Sequence, residues 1–196
     1  MIELADTNEG LCVKLDGKLI RCDKPIAMLY MATDEFKDHY SIVAMRLPQV
    51  KRGHKEGKEI SVLDPIVLFS AELRASPDNL FADRLKKFYK DNRVSVVLTY
   101  SKVEADAVRL RKICGFKAIF LESVSHENAS TTLNDWFGRR TKEGKPSIIF
   151  DGDCSEFLGE AYYPARVSVL EVLRYYDERT RTAGLQLPRK KMTMGY

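Results

Sequence analysis

The sequence predicts a mixed α/β (α+β) fold: a largely antiparallel central sheet flanked by helices, with a helical extension toward the C-terminal end. Three observations carry this. Residues 93–121 give strand, helix and strand signals in succession. Earlier apolar runs come in pairs joined by turn residues, as in hairpins. The composition, 44% hydrophobic and 31% charged over 196 residues, is that of a globular chain able to bury a sizeable core.

The first clear element is the stretch from Leu11 to Cys22, with Asp16-Gly17 at its centre. That dipeptide suits a two-residue type I′ turn, which requires positive φ at both positions. Counting outward sets Leu15 against Lys18, Val13 against Ile20, and Cys12 against Arg21. Cys12 and Cys22 then fall on opposite faces and do not pair. Ile26–Ala32 and Tyr40–Leu47, joined by the acidic stretch 33–38, predict a second hairpin, closed by Pro48. Residues 51–59 are expected as a charged, glycine-punctuated loop, and Ile66–Leu73 as the next strand.

Ser76-Pro77-Asp78 is expected to start a helix, with Ser76 as N-cap and Phe81, Leu85 and Phe88 as its buried face. Val94–Tyr100 is rich in β-formers and suits a central strand. Ser101-Lys-Val-Glu104 has the spacing of a capping box. It predicts a helix whose inner face is Val103, Ala107, Leu110 and Cys114, stopped by Gly115. Lys117–Leu121 follows as a strand. Beyond Ser123 the expectations are a short helix over 131–137, a basic loop over 139–145, a strand over 147–150 and a long helix from Pro164 to about Thr182. In that last helix Val169, Leu173 and Tyr176 share a face. The division expected is a core over 1–123, an extension over 124–184 packed on it, and a basic tail over 185–196.

The net charge of +4 permits acidic partners without demanding them. No window approaches the ~18 consecutive apolar residues of a membrane span, and the first residues carry acids rather than the basic start of a secretory signal. The expectation is a cytoplasmic chain with no membrane partner. Its four cysteines contain no CxxC pair and lie far from the three histidines, so four free thiols and no zinc site are expected.

The segment 66–121 resembles the GNAT superfamily of N-acetyltransferases. The likeness is carried by Val94–Tyr100 and by the helix holding Ala107, Leu110, Gly115 and Phe116. It implies a GNAT-like sheet, acetyl-CoA as cofactor and a loop whose backbone N–H groups hold a pyrophosphate. That loop corresponds to Arg74–Asn79, so Arg74, Ser76 and Asn79 are the cofactor-binding candidates. Pro77 and Asn79 replace the family's glycines, and Pro77 has no N–H to donate. Arg111 stands where the family has a helical Tyr, and Glu104 where it has an Asn. Arg111 holds its proton at neutral pH and cannot act as an acid, which leaves Tyr100 as the one candidate phenol. The resemblance therefore implies a degenerate, non-catalytic GNAT-like module of the kind found in virion and early proteins of tailed phages, placed in a host cytoplasm or a virion. It would act without a cofactor on a protein partner or a second copy of itself.

Two alternatives stand beside it. One is an acyl-CoA-dependent N-acyltransferase with an atypical loop. The other is a nucleic-acid-binding protein that uses a basic helical face. That face comprises Arg84, Lys87, Arg109, Arg111 and Lys112, with Arg189, Lys190 and Lys191 of the tail extending it. Asp151-Gly-Asp153 is expected as a turn after a strand rather than a metal site. His126-Glu127 falls in a loop, and no serine sits in a Gly-x-Ser-x-Gly elbow.

Overall fold

The computed structural model describes residues 3–8, 10–47, 53–55, 58–60, 66–124, 129–141, 144–154, 157 and 162–184. Strands β1 (Glu3–Thr7), β2 (Gly10–Leu15) and β3 (Lys18–Arg21) form a small antiparallel sheet. Leu15 pairs with Lys18, Val13 with Ile20 and Cys12 with Arg21, the register expected from the turn. Asp16 and Gly17 both have positive φ, 50° and 74°, as a type I′ turn requires. The four cysteines are free. The strand at Glu3–Thr7 has no clear apolar pattern and was not anticipated.

The main sheet has six strands in the order β10-β9-β4-β5-β8-β11. They are β4 (Ile26–Tyr30), β5 (His39–Leu47), β8 (Ile66–Ala75), β9 (Val96–Tyr100), β10 (Ala118–Phe120) and β11 (Ile148–Phe150). The mixed α/β class holds. Antiparallel pairing within this sheet is confined to β4-β5 and β5-β8, while β9, β10 and β11 join parallel to their neighbours. Five strands therefore share one direction and β5 opposes them. Helix α1 (Phe81–Asp91) returns the chain from β8 to β9, and α2 (Glu104–Cys114) from β9 to β10, the crossovers that strands of one direction need.

Layers lie on both faces of this sheet. Ile26, Met28 and Tyr30 of β4 point into one core, with α3 (Ala129–Gly138) and α4 (Tyr163–Gly184). Ala27, Leu29 and Met31 point into the other, under α1 and α2. That is why the run Ile26–Tyr30 is apolar without alternation: each of its residues is buried. Val169, Leu173 and Tyr176 are buried on α4 as expected. The small sheet packs through Val13 and Cys22 onto Met45, Leu47 and Leu68, and Arg93 ties it to the end of α1 through a 2.6 Å ion pair with Asp6.

Several local expectations are corrected. Ser76 does not cap α1; the cap position is Leu80, and the Asp78 carboxylate accepts the Leu80 N–H at 3.0 Å in a turn before the helix. Ser101 does not close a capping box with Glu104. Its hydroxyl bonds Val103, two residues on, and α2 begins after that turn. Val103 is consequently not on the inner face but 54% exposed, and Ala107 is the one fully buried residue of α2. On α1, Tyr89 joins Phe81 and Leu85 as the buried face, with Phe88 only partly buried beside them. Within the stretch expected as a charged loop, Gly53–Lys55 (β6) and Lys58–Ile60 (β7) pair as a small hairpin. Gly115 ends α2 in the left-handed conformation, φ 72°, with its N–H bonded to the Arg111 carbonyl, as expected.

Candidate functional site

Strands β4 and β9 are parallel neighbours, and their connections leave in opposite directions. β4 turns back into β5 on one side; β9 crosses through α2 to β10 on the other. Open α/β sheets bind ligands in the crevice beyond the carboxyl ends of two such strands. Here that crevice has two sides, and they differ.

On the α4 side it is filled by aromatic rings. Tyr30 and Tyr100 lie 5.3 Å apart between ring centres, Phe36 stacks on Tyr163 at 5.6 Å, and Tyr162 meets Tyr40 edge-on at 5.9 Å. Burial, reinforced by the Tyr100 ring, pushes the Tyr30 phenol up to about 12, so it stays protonated at neutral pH. On the α1–α2 side the crevice is open. A groove of roughly 650 Å³, within the range of ligand sites, runs between the start of α1 and the face of α2 from Val103 to Ile113.

The floor of the groove is Met31, Phe81 and Leu110. His39 closes one wall. It is 7% exposed, packs edge-on against Phe81 at 4.4 Å, and its Nδ1 accepts the Ala32 N–H at 2.6 Å. That bond places the ring proton on Nε2. Burial holds the imidazole down to about pKa 4, although Asp106 and Asp38 pull the other way. The Thr33 hydroxyl at the same end is buried without a hydrogen-bond partner among the described residues. Charges of both signs line the opening: Asp34 and Asp106, Lys102 and Arg109. The rim is apolar and exposed. Val103 and Ile113 on the α2 side are 54% and 51% exposed.

The expected site residues separate. Arg74 and Ser76 converge on one carboxylate rather than on an anion site. Arg74 pairs with Asp38 at 3.2 Å and lies 4.2 Å over the Tyr162 ring, and the Ser76 hydroxyl donates to Asp38 at 2.9 Å. Asn79 alone of the three lines the groove. Tyr100 is 8% exposed and belongs to the aromatic core on the far face of the sheet, so it is not presented to this groove. Strands 66–75 and 96–100, which the resembling segment joins through α1, are not neighbours in the sheet. Two filled strands, β4 and β5, stand between them.

The expected basic face divides as well. Arg84 is held by Asp78 at 2.8 Å and Lys87 by Asp91 at 3.4 Å. Arg109 opens on the groove, whereas Arg111 and Lys112 surround a different recess at the other end of α2. Arg189, Lys190, Lys191 and the pair His126-Glu127 lie outside the described residues. Asp151 and Asp153 fall in a turn in which the Cys154 N–H bonds the Asp151 carbonyl at 3.0 Å. No group of three or more metal-ligating side chains occurs among the described residues.

The groove itself was not found by sequence reading. Its signals were a histidine at the start of a buried strand and an apolar residue, Val103, in a turn. Compared with known proteins, the chain matches no family model and no curated protein.

Proposed function

We propose that the chain works by contact rather than catalysis, with the groove between the start of α1 and the length of α2 as its docking site for a protein partner. The observation that carries this is the exposed apolar rim of Val103 and Ile113 beside an open groove with an apolar floor. Exposed apolar side chains gathered at one opening mark sites where water is displaced by a partner. The fitting partner segment brings an apolar side chain for the Met31–Phe81–Leu110 floor. It flanks that side chain with one base and one acid, to meet Asp34 and Asp106 on one hand and Lys102 and Arg109 on the other. A hydrogen-bonding atom beside the apolar group would satisfy Thr33. The residues that a cofactor-binding reading needs are engaged elsewhere: Arg74 and Ser76 serve Asp38, and Tyr100 serves the aromatic core.

A photo-crosslinking amino acid placed at Val103 tests the reading in cells that express the chain. The expected result is one discrete protein adduct, lost when Ile113→Asp is added and absent when the crosslinker sits at Leu19, an exposed residue far along the chain. Equal adducts from both positions, or micromolar acetyl-CoA binding by calorimetry, would overturn it.

A further inference from the structure

Helices α1 and α2 both start at the carboxyl edge of the sheet and run back to its amino edge. Both carry acids in the first turn, Asp83 in α1 and Glu104 and Asp106 in α2, and bases in the last. The two helices share a direction but are staggered: the Cys114 thiol at the end of α2 bonds the Ala82 carbonyl in the first turn of α1. Around that end of α2 lie Lys86 and Lys90 of α1, Arg111 and Lys112 of α2, and Lys117 just beyond, with Asp83 of α1 also beside Cys114. All five bases are exposed, and none has an ion-pair partner among the described residues.

They share one surface. Arg111, Lys112 and Lys117 line a recess of about 560 Å³ with Val108, Gly115 and Phe116. Phe116 meets Tyr89 of α1 edge-on at 5.3 Å, and the Cys114 thiol bonds the Ala82 carbonyl at 3.4 Å. Ala82, Lys86 and Lys90 recur every four residues, so they form the stripe of α1 that flanks α2. Lys86 is close enough to Cys114 to act on its thiol electrostatically.

Five of the chain's 32 Lys and Arg residues gather around this one helix end. Favourable contact with the helix dipoles accounts for the sign of the last-turn residues. It does not account for Lys86, in mid-helix, or for Lys117, beyond α2. Four of the five are lysines. Protein–protein interfaces are depleted in lysine, whereas phosphates accept it as a point charge. The surface offers little apolar area to insert into a bilayer: Phe116 is only partly exposed and already packed on Tyr89. We infer that this basic surface around the end of α2 is a binding surface for the phosphate backbone of duplex nucleic acid, without base selectivity. The recess residues are distinct from those lining the proposed docking groove, although Lys112 adjoins Ile113 of its rim.

Fluorescence anisotropy with a labelled 20-base-pair DNA duplex of arbitrary sequence tests this on the full chain. With five phosphate contacts the logarithm of affinity should fall with the logarithm of salt at a slope of about −4.5, roughly a 500-fold loss between 50 and 200 mM. The triple change Lys86→Gln, Lys90→Gln, Lys112→Gln should reduce the slope by about 3, and Lys112→Gln alone by about 1. Arg84→Gln with Lys87→Gln, both ion-paired residues, should leave the slope unchanged. The single change decides the matter if the triple melts at a lower temperature. No binding at 50 mM salt overturns the inference. So does a slope that the Lys112 change leaves intact, binding lost only on substituting Arg189, Lys190 and Lys191, or equal competition by polyglutamate at matched charge.

Discussion

His39 gives the chain a pH dependence whose size follows from its surroundings. The ring is 7% exposed, and its Nδ1 accepts the Ala32 N–H at 2.6 Å. Protonating Nδ1 would set two donors against each other in a site with little water. Burial therefore depresses the folded-state value from 6.5 to about 4, against the pull of Asp106 and Asp38. Between those two values the unfolded chain binds more protons than the folded one, so stability rises with pH across the window and is lost as pH falls through it. A shift of this size corresponds to about 3 kcal/mol in total, of which about 2 kcal/mol is lost between pH 7 and pH 5. Urea unfolding at pH 5, 6 and 7 measures it. His39→Asn keeps an acceptor near the Nδ1 position and removes the titration, so the difference between wild-type and variant stabilities should shrink by about 2 kcal/mol on going from pH 7 to pH 5. An NMR titration of the His39 Cε1–H should show no midpoint above pH 5. Parallel stability curves, or a midpoint near 6.5, would refute the reasoning.

Two further outcomes test the walls of the same region. The hydroxyls of Tyr89 and Ser41 lie 3.0 Å apart in the buried layer between α1 and β5, so Tyr89→Phe should strand the Ser41 hydroxyl and cost about 1–3 kcal/mol in chemical denaturation; an unchanged midpoint would deny the bond. Gly115 has φ 72° with open space where a Cβ would stand, so Gly115→Ala should cost only the backbone strain, about 1–2 kcal/mol, read as a drop of a few degrees in melting temperature.

Local chemistry was legible in the sequence where one turn decides one register. Asp16-Gly17 set every pair of the β2–β3 hairpin, and Gly115 marked the end of α2, because each rests on neighbours in the chain. The helix starts were misread for an equally local reason. Ser76 and Ser101 have the chemistry of caps, but the Ser76 hydroxyl donates to Asp38 and the Ser101 oxygen is spent on the turn that precedes α2. Sheet order was not legible. β9 pairs with β4, some seventy residues earlier, through Ile26↔Val96 to Tyr30↔Tyr100, and periodicity shows only that both are buried. Strands 66–75 and 96–100 follow one another across α1, yet β4 and β5 stand between them in the sheet. Val103 shows the same limit for the site: an apolar residue four places before a helical alanine fits an inner face, and only the late start of α2 turns it outward.

The contrast between the two sides of the β4–β9 crevice bears on function more than any single residue does. An enzyme built at such a point needs polar groups converging from both strand ends onto one open volume. Here the residues that end the two strands, Tyr30 and Tyr100, put their rings into the closed side, where they pack on each other and Tyr30 meets Phe36. The open side takes Met31 as its floor, and its one imidazole spends an acceptor nitrogen on the backbone. Arg74, the cation nearest in sequence to the expected cofactor loop, is drawn to Asp38 and the Tyr162 ring on the way. What is left open is an apolar floor with an apolar rim and balanced charges beside it. That combination supports the proposed docking of another protein's apolar side chains, which would displace water from the floor.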